Sequence, residues 1–183
     1  MTHARPAVAV AVALALGAGC SKPPADPSPE AIARAKEALA PFKTKLRDTL
    51  LGAMGEGPGK AVDACAVEAP RLAAEASTKG VRVGRSSHKP RSPTNAPASW
   101  HAEALAHFSS PAGAQSPSFS RRLPSGATAY AEPIAMQPMC LTCHGTSVDP
   151  ALLETIKKRY PQDQATGYEA GQFRGIFWAE VAP

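Results

Sequence analysis

The sequence contains few cysteine, aromatic and charged residues, and these shortages exclude several classes of protein. Its 183 residues include 4 Cys, 5% aromatic residues and 19% charged residues, beside 19 Pro and 14 Gly. This composition excludes a collagen, a coiled coil and a multi-pass membrane protein, and four cysteines are too few for a disulfide scaffold. The remaining class is one soluble globular domain with long connections interrupted by proline.

The charge of the chain does not indicate a nucleic-acid-binding protein. Lys and Arg number 20 against 15 Asp and Glu, which gives a formal net charge of +5. Because the excess is spread along the chain and forms no basic run, it favours a solvated surface, and we expect no nucleic acid partner.

The first twenty residues have the pattern of an export signal. Arg5 precedes an uncharged apolar run over 6–16, which is too short for a membrane-spanning helix of about 20 residues but fits the hydrophobic region of a secretory signal. Small residues then lead into Cys20, as in a bacterial lipoprotein signal, where this cysteine becomes the acylated first residue. Gly17 stands where Leu is usual, so a plain secretory signal is the alternative. We therefore predict a signal over 1–19 and a periplasmic protein, lipid-anchored through Cys20 or secreted if that cysteine is not acylated.

The rest of the chain is predicted to be a Pro-rich tether over 20–29 followed by one domain over 30–183. Ser28 and Pro29 are a suitable cap and first-turn residue for an N-terminal helical segment, which Pro41 is expected to kink or divide. Further helices are predicted from about 58 to 80, from Pro97 and over 150–160, and strands over 81–85, 118–123, 127–135 and 173–181. Helices and antiparallel-looking strands in mixed order indicate the α+β class.

The segment Cys140-Leu141-Thr142-Cys143-His144 carries the clearest chemical signal. Two cysteines separated by two residues and followed by His form the attachment signature of c-type haem. Both thiols can reach the vinyl groups at one edge of the porphyrin, and the histidine then lies under the iron as its proximal ligand. The motif occurs once, so we predict one covalent haem c.

Two other interpretations of this motif were compared with haem attachment. A structural zinc ion needs four ligands, and the sequence has no second Cys or His pair to complete the set. A thioredoxin-like dithiol would require a βαβ context and gives no role to His144. Export also favours haem, because c-type attachment takes place outside the cytoplasm.

The residues alone do not decide which side chain binds the opposite face of the iron. The candidates are Cys65, Met136, Met139, His88, His101 and His107. The two methionines are too close to the attachment segment and are expected to pack, and the histidines are expected on the surface or in a solvated loop. Cys65 lies on the apolar side of the second predicted helix and has no obvious partner. It is either a ligand or a small buried apolar residue.

Four segments carry a resemblance to a known family. They are AVDACAVEAP (61–70), VGRSSHKPRSPTNAP (83–97), CLTCHG (140–145) and TGYEAGQFRG (166–175). Together, in this order and spacing, they resemble the Tll0287-like family, also catalogued as DUF3365, from about residue 31 to 181. The haem motif alone is generic to cytochromes c, whereas the Cys-x-x-x-Ala-Pro, Gly-Arg-x-Ser and Arg-x-Pro-x-Asn-x-Pro patterns are more specific. The chain departs from the family at Ser92, where Asn is usual.

The resemblance implies a PAS-like α+β fold, with helices flanking an antiparallel sheet against which the haem is held. It also implies His/Cys axial ligation, which corresponds to His144 and Cys65 in this sequence. Arg85, Arg91 and Asn95 can pair with the haem propionates, since Arg binds carboxylates in a bidentate manner, or they can merely tie their loop together.

Two functions compete for such a protein. The first is a redox or gas sensor, in which Cys65 leaves the reduced iron and CO or NO takes its place; no effector domain is attached, so the signal would pass to a separate partner. The second is a low-potential, membrane-tethered electron carrier that meets acidic redox partners. An enzyme is not expected, because a six-coordinate haem has no open position and no acid–base pair stands out beside it.

Overall fold

The computed structural model describes Met1 and residues 26–183. The predicted signal and Cys20 therefore lie outside the described residues. The helices are α1 (Pro29–Glu56), α2 (Pro58–Ala76), α3 (Trp100–Ser109), α4 (Leu141–His144) and α5 (Pro150–Arg159), and the strands are β1 (Val81–Ser86), β2 (Phe119–Arg122), β3 (Thr128–Ala135) and β4 (Phe173–Val181). In this part of the chain no helix is both long enough and apolar enough to cross a membrane. The predicted α+β class is confirmed, while the PAS-like detail stays a prediction.

The N-terminal helix α1 begins where the sequence predicts. The hydroxyl of Ser28 accepts a hydrogen bond from the amide of Ala31 at 3.2 Å, and Gly57 ends the helix with a φ of 127°. Only glycine adopts such a φ without strain. Of the two effects expected at Pro41, a division of the helix is wrong, because α1 is continuous through this residue, and a kink stays a prediction. Pro41 and Glu37, whose carbonyl loses its amide partner, both lie on the exposed side of the helix, where water can satisfy the carbonyl.

The four strands form one antiparallel sheet in the order β1-β4-β3-β2. The end of β1 pairs with the first half of β4, Ser86 opposite Ile176. The end of β3 pairs with the start of β4, Ala135 opposite Phe173, after a bulge. The segments that follow β1 and β3 therefore leave the sheet at the same end. These are the Pro-rich loop and the Cys-x-x-Cys-His segment.

The helices cover the two faces of this sheet with separate apolar clusters. On one face α1 and α2 pack against β1, β3 and β4, with Leu39, Phe42 and Val181 among the fully buried side chains. On the other face α3 packs through Trp100 and Phe108 against strands β3 and β4. Side chains on the two faces therefore pack into different apolar clusters.

A third cluster joins α2 to α5. Val62 of α2 packs with Leu152, Ile156 and Tyr160, and Cys143 contacts the cluster at its margin. Asp149 caps α5 by accepting hydrogen bonds from the amides of residues 151 and 152, both at 3.0 Å. This packing fixes the second helix next to the segment that carries the two motif cysteines.

Candidate functional site

The Cys-x-x-Cys-His segment forms one tight helical turn at the end of the sheet. A 3₁₀ turn over Pro138–Cys140 continues directly into α4, which ends at His144. Cys140 and Cys143 are both partly buried and free. Residues three apart on a helix face the same side, so the two thiols lie on one side of the turn, as attachment to one porphyrin edge requires.

The imidazole of His144 is held through one nitrogen only. Its Nδ1 lies 2.6 Å from the carbonyl oxygen of Ala165, and because a carbonyl only accepts, Nδ1 carries the proton and donates it. Nε2 makes no hydrogen bond within residues 26–183. Burial, aided by the charges of Arg91 and Arg174, lowers the pKa of His144 to about 3. The ring is therefore neutral at physiological pH and presents the Nε2 lone pair, the form in which histidine binds a metal.

The segment over 163–168, which we call the clamp, holds the backbone around this histidine. The amide of Tyr168 donates to the carbonyl of His144, and the amide of Gly167 donates to the carbonyl of Gly145, both at 3.0 Å. Gly145 and Tyr168 form a parallel β-bridge. Together with the carbonyl of Ala165, the clamp fixes both the main chain and the ring of the candidate ligand.

The ring of Tyr168 lies beside the imidazole. The two rings meet edge to face, with centroids 6.5 Å apart, while Lys89 Nζ lies 4.6 Å from the Tyr168 centroid and Arg174 Cζ lies 5.3 Å from it. Cations over a tyrosine ring are stabilised by its π electrons. The hydroxyl of Tyr168 is buried and has no hydrogen-bond partner among the described residues.

Arg91 joins the Pro-rich loop to the clamp. Its guanidinium donates to Asp163, at 3.1 and 3.2 Å, to the carbonyl of Cys143 at 2.6 Å and to that of Ala165 at 3.3 Å. Lys89 donates in the same way to the carbonyl of Thr166 at 2.7 Å. Through Nε and Nη2, Arg91 ties the loop to the clamp, while its Nη1 makes no hydrogen bond within the described residues, so both roles predicted from the sequence stay predictions.

Cys65 lies on α2, the helix that packs beside the attachment turn. It is partly buried, free, and located one turn after Val62 of the α2–α5 cluster. Cys65 lies near both Cys143 and Tyr160: burial, and after it Cys65, raises the pKa of Tyr160 to about 12, and burial raises the pKa of Cys143, opposed by Arg91 and aided by Cys65. The structure therefore brings Cys65 into the neighbourhood of the motif cysteines, although 75 residues separate Cys65 from Cys140 in the sequence.

Arg85 extends the electrostatic environment of Cys65. It follows Val81 and Val83 at alternate positions of β1, so its side chain points to the sheet face that α1 and α2 cover. Burial lowers the pKa of Arg85, while the charge of Cys65 opposes that effect. The guanidinium makes no hydrogen bond within the described part of the chain and remains available to an anion.

Asn95 lies in a 3₁₀ turn of the Pro-rich loop. Its carbonyl accepts hydrogen bonds from the amide of Ser87 at 3.0 Å and from the hydroxyl of Ser86 at 3.2 Å. These contacts attach the loop to the end of β1. These contacts use the main-chain carbonyl of Asn95. Its side chain can therefore still have either predicted role, binding a haem propionate or tying the loop together.

The other candidate ligands lie on α3, in the Pro-rich loop or just before the attachment turn. His101 and His107 belong to α3 on the opposite sheet face, where their rings contact Trp178 and Phe119 respectively. His88 is exposed and stacks on Phe173. Met136 is buried and Met139 is 37% exposed at the start of the attachment segment.

Sequence reasoning missed the residues that hold His144. Asp163 and Ala165 carry no motif of their own, and the role of Ala165 is played by a backbone carbonyl, which any residue can supply. Tyr168 and Arg174 lie in the segment 166–175, which contributed to the family resemblance. The sequence did not predict that this segment contacts His144. The repeated Gly in that segment was the available signal, because Gly167 has a φ of 77° that allows the clamp to turn.

The donors present fit an iron that is already held in a porphyrin. Two thiols on one turn would attach a porphyrin along one edge, and the imidazole Nε2 and the thiol on α2 are donors of the kind that would hold its iron. Between residues 26 and 183 no group of three or more His, Cys, Asp or Glu side chains is arranged to bind a metal ion directly. A porphyrin supplies four of the six iron ligands, so two side chains suffice.

Comparison with known proteins agrees with the resemblance noted from the sequence. The model of the Tll0287-like family, described as Tll0287, matches residues 21–182. The crystal structure of the cyanobacterial heme-protein Tll0287 is similar, with a TM-score of 0.62 and 24% identity over 86% of this chain and 97% of that chain. At this identity the likeness shows a common fold. No curated protein matches the chain.

Proposed function

Because the chain belongs to the Tll0287-like family, we propose that it is a haem protein with one haem c attached through Cys140 and Cys143. In this proposal His144 and Cys65 are the axial ligands. The observation that carries it is the state of His144: Nδ1 is committed to Ala165 while the neutral ring keeps Nε2 free. A solved structure with the same fold is that of a protein described as a heme-protein, which supports the assignment.

Cys65 is the candidate that best combines chemistry and position. It comes from α2, which packs beside the attachment turn, and it lies near enough to influence Cys143 and Tyr160. A thiolate is a strong donor to ferric iron. The unpaired Arg85 would balance its negative charge or bind a haem propionate.

Arg91 and Asn95 are assigned differently from Arg85. The hydrogen bonds of Arg91 already go to Asp163 and to backbone carbonyls, which supports a role in fixing the loop. Asn95 stays a candidate for propionate binding through its side-chain amide.

We place a redox or gas sensor first among the possible roles. The haem would supply a one-electron redox change and, at a vacated axial position, the binding of CO or NO. When the iron is reduced, the attraction between the metal and the Cys65 thiolate would weaken. Sγ would then take up a proton, and the side chain would move back toward α2. Because α2 also packs on α5 and on the sheet, a displacement of α2 would move these elements as well. A signalling partner that binds at their surface would respond to this movement.

A low-potential electron carrier is the second candidate. A net charge of +5 suits brief encounters with acidic redox partners. In either role we propose export to the periplasmic side of a bacterial membrane, with lipid attachment at Cys20, and no enzymatic activity.

The proposal is tested by absorption spectra of the ferric and ferrous protein, with and without CO. A pyridine haemochrome spectrum first establishes covalent attachment, which should be lost when Cys140 and Cys143 are both replaced by Ala. Ferric low-spin thiolate features should be present in the wild type and absent in Cys65→Ala. The matched control is His88→Ala, which removes an exposed candidate and should leave the spectra unchanged.

The same spectra separate the two roles. Binding of CO by the ferrous wild type supports sensing, whereas a ferrous form that keeps Cys65 bound and refuses CO supports the carrier. Identical ferric spectra for the wild type and Cys65→Ala would remove Cys65 as a ligand. The search would then pass to the methionines and histidines.

A further inference from the structure

One buried ion pair in the site has so far been given a role only in fixing the Pro-rich loop. The side chains of Arg91 and Asp163 are only 10% and 6% exposed. Burying two charges is costly and does not by itself stabilise a protein, since apolar replacements are often as stable. Such a pair therefore requires an explanation from what it contacts.

Asp163 makes two kinds of contact, one to the amide of Ala165 and one to the guanidinium of Arg91. Its Oδ1 accepts a hydrogen bond from the amide of Ala165 at 2.9 Å, and both carboxylate oxygens accept from Arg91. The same Ala165 offers its carbonyl to His144 Nδ1 at 2.6 Å. The carboxylate thus fixes the orientation of the residue that fixes the imidazole.

Arg91 completes the arrangement from the other side. Its Nη2 reaches the carbonyl of Cys143 at 2.6 Å and that of Ala165 at 3.3 Å. One guanidinium therefore holds the attachment turn and the clamp at a fixed separation. A lysine has the charge but not the planar set of donors needed to contact several acceptors at once.

We propose that Asp163 and Arg91 are positioning residues for His144. They set the direction and strength of the Nδ1–H bond to Ala165, and through it the orientation of Nε2. The inference rests on the proposed function, in that Nε2 is taken to be the proximal ligand. Hydrogen-bond partners behind a metal-binding histidine commonly tune the affinity and properties of a site.

The decisive variant is Asp163→Asn, which keeps the size of the side chain but removes its charge. The readout is the exchange of the His144 Nδ1 proton with D₂O, followed by NMR in the haem-loaded protein. We expect faster exchange, because the Ala165 carbonyl is less firmly held, together with altered ferric EPR g values. The matched control is Glu180→Gln, which removes one negative charge at the far end of β4, where Glu180 pairs with Arg82 at 2.9 Å.

A second variant covers the case in which Asp163→Asn does not fold. Arg91→Lys keeps the positive charge beside Asp163 but cannot bridge Cys143 and Ala165 together, so it should also speed the exchange. If each folded variant exchanges at the wild-type rate, or if Glu180→Gln changes the rate equally, the positioning role is wrong. A change in reduction potential without a change in the exchange rate would show that the pair acts only through its charges. This result would also contradict the positioning role.

Failure of the proposed function has a different signature. It would be seen in the wild type, as the absence of covalent haem in the pyridine haemochrome assay or of a histidine ligand in the EPR spectrum. Wild-type protein with attached haem and a histidine ligand, combined with unchanged exchange in both variants, would contradict only the positioning inference.

Discussion

The amide of Gly145 donates a hydrogen bond to the carbonyl of Leu141 at 2.8 Å, and a Cβ at position 145 would lie 2.6 Å from that same oxygen. This close approach closes the turn that carries the two motif cysteines and the histidine. The φ of Gly145 is −70°, which any residue can adopt, so glycine is required by space and not by backbone conformation. The residue after the motif thus determines how tightly the turn closes.

Replacing Gly145 with Ala should open this turn. Because the new methyl group meets a backbone oxygen that cannot rotate away, we expect a loss of about 1–3 kcal/mol in the free energy of unfolding and a lower yield of attached haem. Chemical denaturation and the pyridine haemochrome assay measure the two effects. The control is Gly52→Ala within α1. Apart from the nearby helix backbone, no atom lies within 4 Å of a Cβ added at this position, and Ala should stabilise the helix by about 1 kcal/mol. Wild-type behaviour of Gly145→Ala would show that the turn tolerates expansion.

Arg85 and Arg82 occupy the same strand but opposite faces, which makes them a matched pair. Arg85 faces the Cys65 side without a hydrogen-bond partner, whereas Arg82 is exposed and pairs with Glu180. A positive charge near the iron favours the reduced form. We therefore expect Arg85→Gln to lower the reduction potential, as measured by spectroelectrochemical titration, and Arg82→Gln to leave it nearly unchanged. Equal shifts in the two variants would place Arg85 no nearer to the haem than Arg82.

Much of the fold could be predicted because its signals are local. Asp149 and Pro150 mark the start of α5, and strand β4 has the predicted bounds of 173–181. A division of α1 at Pro41 was a wrong alternative because a helix tolerates proline where the freed carbonyl is exposed to water, and the exposure of one residue is not fixed by the helix pattern alone. The chemistry of the Cys-x-x-Cys-His turn was equally local.

The support of the site could not be predicted in this way. The contact between His144 and Ala165 uses a backbone carbonyl, so no residue type marks it. The pairing of Arg91 with Asp163 spans 72 residues and depends on how the loop and the clamp meet at the end of the sheet. Only the three-dimensional arrangement reveals such contacts.

Ile156 anchors the packing that holds α2 beside the attachment turn. It is fully buried in the cluster with Val62 and Tyr160, so Ile156→Ala should cost about 2–5 kcal/mol in the free energy of unfolding. Val62 lies one turn before Cys65 on α2, so a loosened cluster should also hold Cys65 less firmly. The ferrous Ile156→Ala variant should therefore bind CO more readily than the wild type. The control is Val67→Ala on the same helix, where the side chain is 52% exposed and the change should be within about 0.5 kcal/mol. Equal losses in the two variants would contradict a specific role for this cluster.

Tyr130 should make the stability of the protein depend on alkaline pH. Its hydroxyl donates to Glu132 at 3.0 Å, and burial, with the charge of Glu132, raises its pKa from 10.0 to about 12. Because the folded protein binds this proton more tightly than the unfolded chain, the stabilisation is fully present below about pH 10 and is lost as pH rises to about 12. Tyr130→Phe cannot lose this proton, so its deficit in unfolding free energy relative to the wild type should shrink over that interval. Urea denaturation of both proteins at pH 8, 10 and 11.5 measures the difference, and a constant difference would show that Tyr130 does not titrate with unfolding.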